Sequence, residues 1–138
     1  VFKKRMVGIS ESQIAELRRP DKKLLQIFEG DEEDKLINAL KKVLEKILEI
    51  SSLRLTDFGV FGSLLHDFYN VNYSDLDFII YGIRQTEELR EVLRELYKDP
   101  NSGFKNEYGG SSPPDSRYKR FRHLSLKEYM WHQRRKMI

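Results

Sequence analysis

The sequence predicts an α+β (α/β) domain in which a small mixed sheet is flanked by helices. Three observations carry this reading. Apolar residues recur at helical spacing through 32–50 and again from Thr86 to about Lys98. Between them lie two short apolar runs, "LRLTDFGVFG" and "DLDFIIYG", ended by Gly62 and Gly82. The order helix, strand, strand, helix suits a small sheet covered by helices.

Taken in chain order, residues 9–19 predict a short helix. Ser10 and Gln13 form a capping box, Ile9 and Ile14 stand in staple positions, and Pro20 stops the run. "DKKLLQIFEG" predicts one or two further turns ended by Gly30. Asp31 opens the strongest helix, 32–50, whose Leu36, Ile37, Leu40, Val43, Leu44, Ile47 and Leu48 share one face. A strand follows from Leu53, then a turn-rich connection over 63–74 with room for one helical turn, then the strand "DLDFIIYG". Thr86 caps the next helix, with Leu89, Val92, Leu93, Leu96 and Tyr97 on one face and Asp99-Pro100 closing it. "NSGFKNEYGGSSPPDS" is a loop, and "RYKRFRHL" reads as an edge strand. Ser125 and Glu128 form a second capping box, with Leu124 and Tyr129 as its staple, and open a basic terminal helix in which Trp131 is a packing residue.

Composition narrows the chemistry. A chain of 138 residues makes one domain of modest core. It has no cysteine, which removes disulfides, zinc–thiolate sites and thiol nucleophiles together. No apolar run approaches the roughly 18 residues of a membrane span, and no secretory leader is present in the sequence. The charged fraction of 34% exceeds the usual ~25% and, without cysteine, leans towards a thermophile's cytoplasm. Charge is unevenly placed: residues 117–138 carry eight basic side chains against Glu128 alone, while the first 116 residues are net −4. A basic end on a slightly acidic body suits a polyanionic partner or a segment that keeps the protein in solution. The start at Val1 and the stop at "RRKMI" suggest a piece of a longer parent chain.

The stretch "FGSLLHDFYNVNYSDLDF" bears the most chemistry. Alternation along a strand would put Asp75 and Asp77 on one face and turn Leu76 and Phe78 into the core. Two carboxylates so close repel unless a cation stands between them. Oxygen-only donors suit a hard ion such as Mg²⁺ (or Mn²⁺), which takes one or two carboxylates plus substrate phosphate oxygens. Gly62 allows close approach of a phosphate, and Ser63 offers a hydroxyl and a backbone N–H. A plain turn followed by surface aspartates is the simpler account of each half taken alone.

The combination of Phe61, Gly62-Ser63, an eleven-residue spacer and Asp75-Leu76-Asp77-Phe78 resembles the polymerase-β-like nucleotidyltransferase superfamily in its minimal, archaeal form. The resemblance covers about residues 31–98 as a nucleotidyltransferase-like core, leaving 1–30 as an N-terminal helical extension and 99–138 as a loop, a basic segment and a C-terminal helix. It implies that Gly62 and Ser63 hold the β- and γ-phosphates of a nucleoside triphosphate and that Asp75 and Asp77 are the catalytic, metal-binding carboxylates. The reaction implied is transfer of a nucleoside monophosphate to an acceptor hydroxyl with loss of pyrophosphate. The acceptor is a protein, a nucleic acid end or a small molecule, and a helical protein partner is also implied; separately, the broad apolar face of 32–50, ordinarily core, leaves a second copy of the chain open as a partner. Two features depart from the family pattern. "LLHDF" follows Gly-Ser where many members carry a basic residue, and no apolar strand after Lys98 offers the third carboxylate. Glu107 lies between turn signals, so that carboxylate is expected beyond Ile138.

A second reading belongs to a different class. Arg117, Tyr118, Lys119, Arg120, Phe121 and Arg122 mix charge with aromatic rings, which suits phosphate contacts and base stacking on single-stranded nucleic acid. The fold would then serve as a catalytically incomplete binding module. An exposed edge strand kept in solution by its charges explains the same residues. His66, His123 and His132 have no metal-ligand spacing among themselves, and His66 reads as a solvated loop residue beside the phosphate turn.

Overall fold

The computed structural model describes residues 8–31, 33–106, 108 and 123–135, and for Arg135 the backbone alone. The fold is α+β. Its elements are α1 (Pro20–Glu29), α2 (Lys35–Glu49), β1 (Phe58–Val60), α3 (Gly62–Leu65), β2 (Phe78–Ile80), α4 (Ile83–Lys98) and α5 (Leu126–Arg135). The sheet of the described residues is an antiparallel ribbon of β1 and β2.

The chain before α1 differs from expectation. The Ser10 box forms, with the Ser10 N–H donating to Gln13 Oε1 at 3.0 Å, but it closes only a single tight turn over Glu11–Gln13. Ile14 is already extended, and Ile9, Ile14 and Leu17 stay exposed. A box satisfies local donors, yet a short helix needs a buried face to persist, and none is available here. Pro20 consequently begins a helix instead of ending one. It occupies the first helical position, where its missing N–H costs nothing and its fixed φ is already helical. α1 then runs to Gly30 and buries Leu24 and Ile27 in the common core.

α2 starts later than Asp31. Its cap is Asp34, whose Oδ1 accepts the N–H groups of Leu36 at 2.8 Å and Ile37 at 2.9 Å. Oδ2 takes the Tyr69 hydroxyl at 2.8 Å, a partner far along the chain that Asp31 lacks. Leu36, Ile37, Leu40, Leu44 and Ile47 are buried as the periodicity predicts. They join Leu89, Val92, Leu93 and Leu96 of α4 in one core with Phe58 and Val60. The connection out of α2 is pinned to α4, since Ser52 donates its N–H (2.6 Å) and its hydroxyl (2.8 Å) to Glu88.

β1 is shorter than the predicted strand. A tight turn over Leu55–Asp57, closed by the Arg54 N–H on the Asp57 carboxylate at 2.8 Å, consumes its first half. Phe58, Gly59 and Val60 pair with Ile80, Ile79 and Phe78. The ladder continues one residue each way, with Tyr81 N–H donating to Asp57 O (2.8 Å) and Phe61 N–H to Asp77 O (2.9 Å). Residues 57, 59 and 61 therefore form the hydrogen-bonded pairs with 81, 79 and 77. The peptide groups of Phe78 and Ile80 then point away from β1. Directly paired side chains share a face, so Phe61 and Asp77 stand on the face of Gly59 and Ile79. The Phe58 and Val60 face enters the core.

Gly59 is where α1 meets the ribbon. A Cβ there would lie 2.7 Å from Pro20 Cβ and 2.9 Å from the Pro20 carbonyl carbon. Only a glycine allows the start of α1 to sit on the strand, and this is why all three residues of β1 are buried.

α4 begins at Ile83, ahead of Thr86. Gly82 supplies the cap position with φ +103°, and the Thr86 hydroxyl donates to Gly82 O at 2.8 Å from inside the first turn. At the C-terminus the Ser125–Glu128 box forms as predicted, with the Ser125 N–H donating to Glu128 Oε2 at 2.8 Å. α5 buries Tyr129 and Met130, whereas Trp131 is 53% exposed and packs edge-on against His132 instead of filling a core position. The proposed edge strand at 117–124 lies outside the described residues except for His123 and Leu124, and Glu107 lies outside them too. No helix among the described residues is long and apolar enough to cross a membrane.

Candidate functional site

The site is built from the turn that leaves β1. Phe61 is extended, and Gly62 then takes φ +60°, the left-handed conformation in which a Cβ is penalised. The reversal starts the single helical turn α3, anchored by Leu64 and Leu65, both buried. Ser63 is half-buried, and its carbonyl accepts the Phe68 N–H at 3.2 Å.

Asp77 reaches the same turn from the other strand. Its carbonyl pairs with Phe61, and its carboxylate lies against Gly62, where an ideal Cβ would come 2.5 Å from Asp77 Oδ2. Gly62 is thus required for its backbone angle, while a side chain there would also push the tip of the exposed Asp77 carboxylate aside.

Both aspartates precede the strand in which they were expected, because β2 begins at Phe78. The reason lies in β1: past Phe61 the chain turns away at Gly62, so residues 75 and 76 have no strand to pair with. The alternation itself holds. Asp75 and Asp77 are exposed, while Leu76 and Phe78 are half-buried and pack on the core. The segment before them is ordered by local turns. Asn70 O accepts the N–H groups of Tyr73 (3.1 Å) and Ser74 (2.9 Å), and the Asn70 N–H donates to Ser74 Oγ at 2.8 Å. Tyr69 ties this loop to the cap of α2 through Asp34. Burial pushes the Asp34 carboxyl up, but bonds from the Ile37 N–H, the Tyr69 hydroxyl and the Leu36 N–H outweigh it, leaving it below the usual carboxylate range.

The structure therefore brings Gly62, Ser63 and Asp77 to one end of the ribbon, with Asp75 exposed two residues upstream. The Asp77 carboxylate against the turn, with Asp75 two residues away in sequence, offers oxygen donors of the kind a hard divalent ion takes. No group of three or more His, Cys, Asp or Glu that could hold a metal occurs among the described residues. Arg117, Tyr118, Lys119, Arg120, Phe121 and Arg122 lie outside the described residues.

Sequence reasoning gave no role to a second set of residues here. Asp67 has φ +60°, and its carboxylate is held between Arg18 (3.4 Å) and Lys23. Arg18 also donates to Leu65 O at 3.4 Å. The one signal in the sequence is that Asp enters the left-handed region more readily than most residues. His66 is exposed and stacks on Phe68, with ring centroids 6.0 Å apart.

No family model, curated protein or solved structure matches this chain.

Proposed function

We propose that the chain is a metal-dependent nucleotidyltransferase domain acting on a nucleoside triphosphate. The observation that carries this reading is the approach of the Asp77 carboxylate to the Gly62-Ser63 turn, because phosphate transfer needs a backbone cradle and an acidic metal site side by side. Gly62, left-handed and without a side chain, would let a phosphate approach the backbone, and Ser63 would add its hydroxyl and N–H. Asp75 and Asp77 would hold Mg²⁺, which when bound neutralises phosphate charge and favours ionisation of an attacking hydroxyl. The acceptor oxygen forms a bond to the α-phosphorus, the bond from that phosphorus to the bridging oxygen breaks, and pyrophosphate leaves. What the chain itself would contribute is orientation, by holding the turn and Asp77 at the end of a ribbon whose register is set by buried Phe58 and Val60.

The test is calorimetric titration with ATP, with and without Mg²⁺, of the wild type and of Asp75→Asn/Asp77→Asn. Mg²⁺-dependent binding that disappears in the double variant is the expected result. Equal binding by both proteins, or none by either at millimolar nucleotide, overturns the reading.

A further inference from the structure

Beside the Gly62 turn is a cavity of about 220 Å³ between the start of α1 and the end of α3, lined by Arg18, Arg19, Lys22, Lys23, Leu65 and Asp67 among others. It is too small for a whole nucleotide by the usual size of ligand pockets, yet it suits one or two phosphate groups. Four cationic side chains converge on it. Their carboxylate partners are unequal. Arg19 is held by Asp21, with bonds of 3.2 and 2.7 Å, and Arg18 contacts Glu16 at 2.9 Å. Arg18 and Lys23 share Asp67, and Lys22 has no ion-pair partner among the described residues.

We propose that this cavity is a phosphate-binding pocket and that the Asp67 carboxylate is its internal occupant. Three features point to an occupant that can be displaced. Asp67 sits on a loop and holds a left-handed backbone that non-glycine residues enter seldom. It offers a single negative charge to Lys23 and, together with Glu16, to Arg18, two cations whose side chains are only 22% and 33% exposed, so their field is less screened than at an open surface. A phosphate carries up to two charges and more acceptor oxygens than a carboxylate, so it satisfies Arg18, Lys22 and Lys23 together.

The pocket also makes good the missing basic residue after Gly-Ser. α3 rises roughly 1.5 Å per residue, so its far end at Leu65 is roughly 4.5 Å from Gly62 along the axis. The phosphate is therefore assigned to the tail of the nucleotide bound at Gly62 and Ser63. That assignment rests on the proposed nucleotidyl transfer, whereas the anion site itself does not.

The experiment is calorimetry of the full chain with inorganic pyrophosphate in the presence of a chelator, so that no divalent ion takes part. Wild-type binding, weakened roughly tenfold by Lys22→Ala or Lys23→Gln and strengthened by Asp67→Asn, is the expected pattern; tenfold matches the loss of about one charge-assisted contact. Lys22 is exposed and carries no ion pair, so its variant keeps the test valid if Lys23→Gln does not fold. Absent binding, binding indifferent to Lys22 and Lys23, or weaker binding by Asp67→Asn overturns the pocket. ATP that competes with pyrophosphate supports the nucleotide tail as the source, and simultaneous binding of the two overturns that assignment alone.

Discussion

The carboxylate of Asp77 occupies the volume that a side chain on residue 62 would need, since a Cβ on Gly62 would stand 2.5 Å from Asp77 Oδ2. The turn after β1 and the acid before β2 are therefore a single spatial unit. A change at either position is felt at the other.

Gly62→Ala should lower stability by about 1–2 kcal/mol, the usual cost of forcing a Cβ into the left-handed region. It should also swing the Asp77 carboxylate aside and weaken Mg²⁺–ATP uptake. Gly62→Asn separates the two effects, because Asn tolerates the backbone angle but still crowds Asp77. Urea unfolding should show partial recovery with Asn, while calorimetry shows no recovery of nucleotide binding.

Gly59→Ala carries no backbone penalty from a positive φ, so its whole cost is steric. The new methyl would meet the Pro20 ring at 2.7 Å and backbone at 2.9 Å, and α1 would have to shift. A loss of about 1–3 kcal/mol in urea unfolding is expected, as for other overpacked sites. Wild-type stability in this variant would mean that α1 is not seated on β1.

Asp34 makes stability depend on pH in a defined direction. Its carboxyl is held below its ordinary value by the bonds that cap α2, against the opposing pull of burial. A depressed folded value means that the carboxylate stabilises the fold fully above the unfolded value, about pH 3.9, and that this contribution fades as pH falls through the folded value. Asp34→Asn should flatten that acid limb in a series of urea midpoints. An unchanged acid limb would remove Asp34 from the account.

Tyr69→Phe tests the link between the cap of α2 and the loop that delivers the aspartates. It deletes the 2.8 Å bond to Asp34 Oδ2, at a cost of about 0.5–1.5 kcal/mol. The acid limb governed by Asp34 should become smaller and end at higher pH, because one of the bonds favouring the charged form is gone.

Legibility in the sequence followed the range of the interactions. The buried faces of α2 and α4 were visible because residues three and four apart report a helix without reference to the rest of the fold. The cap of α2 was misplaced by three positions because Asp31 and Asp34 are both plausible caps locally, and the Tyr69 hydroxyl that singles out Asp34 comes from a distant loop. The box at Ser10 forms, but a helix after it has no core to bury Ile14 and Leu17. At the site, the spacing of Gly62-Ser63 and Asp75-x-Asp77 was visible. Their closeness was not, since it depends on pairing Val60 with Phe78. The clasp of Arg18 and Lys23 on Asp67 left no trace, because nothing in local sequence marks a contact between such remote segments.

The seat of Pro20 on Gly59 also governs the order in which the protein is assembled. During synthesis α1 is made long before the strand it covers, and Arg18 and its acceptor Leu65 are separated by 47 positions. The Gly59 face of β1 stays uncovered until α1 closes onto it, whereas the Phe58 and Val60 face packs with α2 and α4. The entropic cost of closure rises only slowly with loop length, but it must be met before the contacts it permits can repay it. The docking of α1 on β1 is therefore a non-local contact, made only once the strand exists.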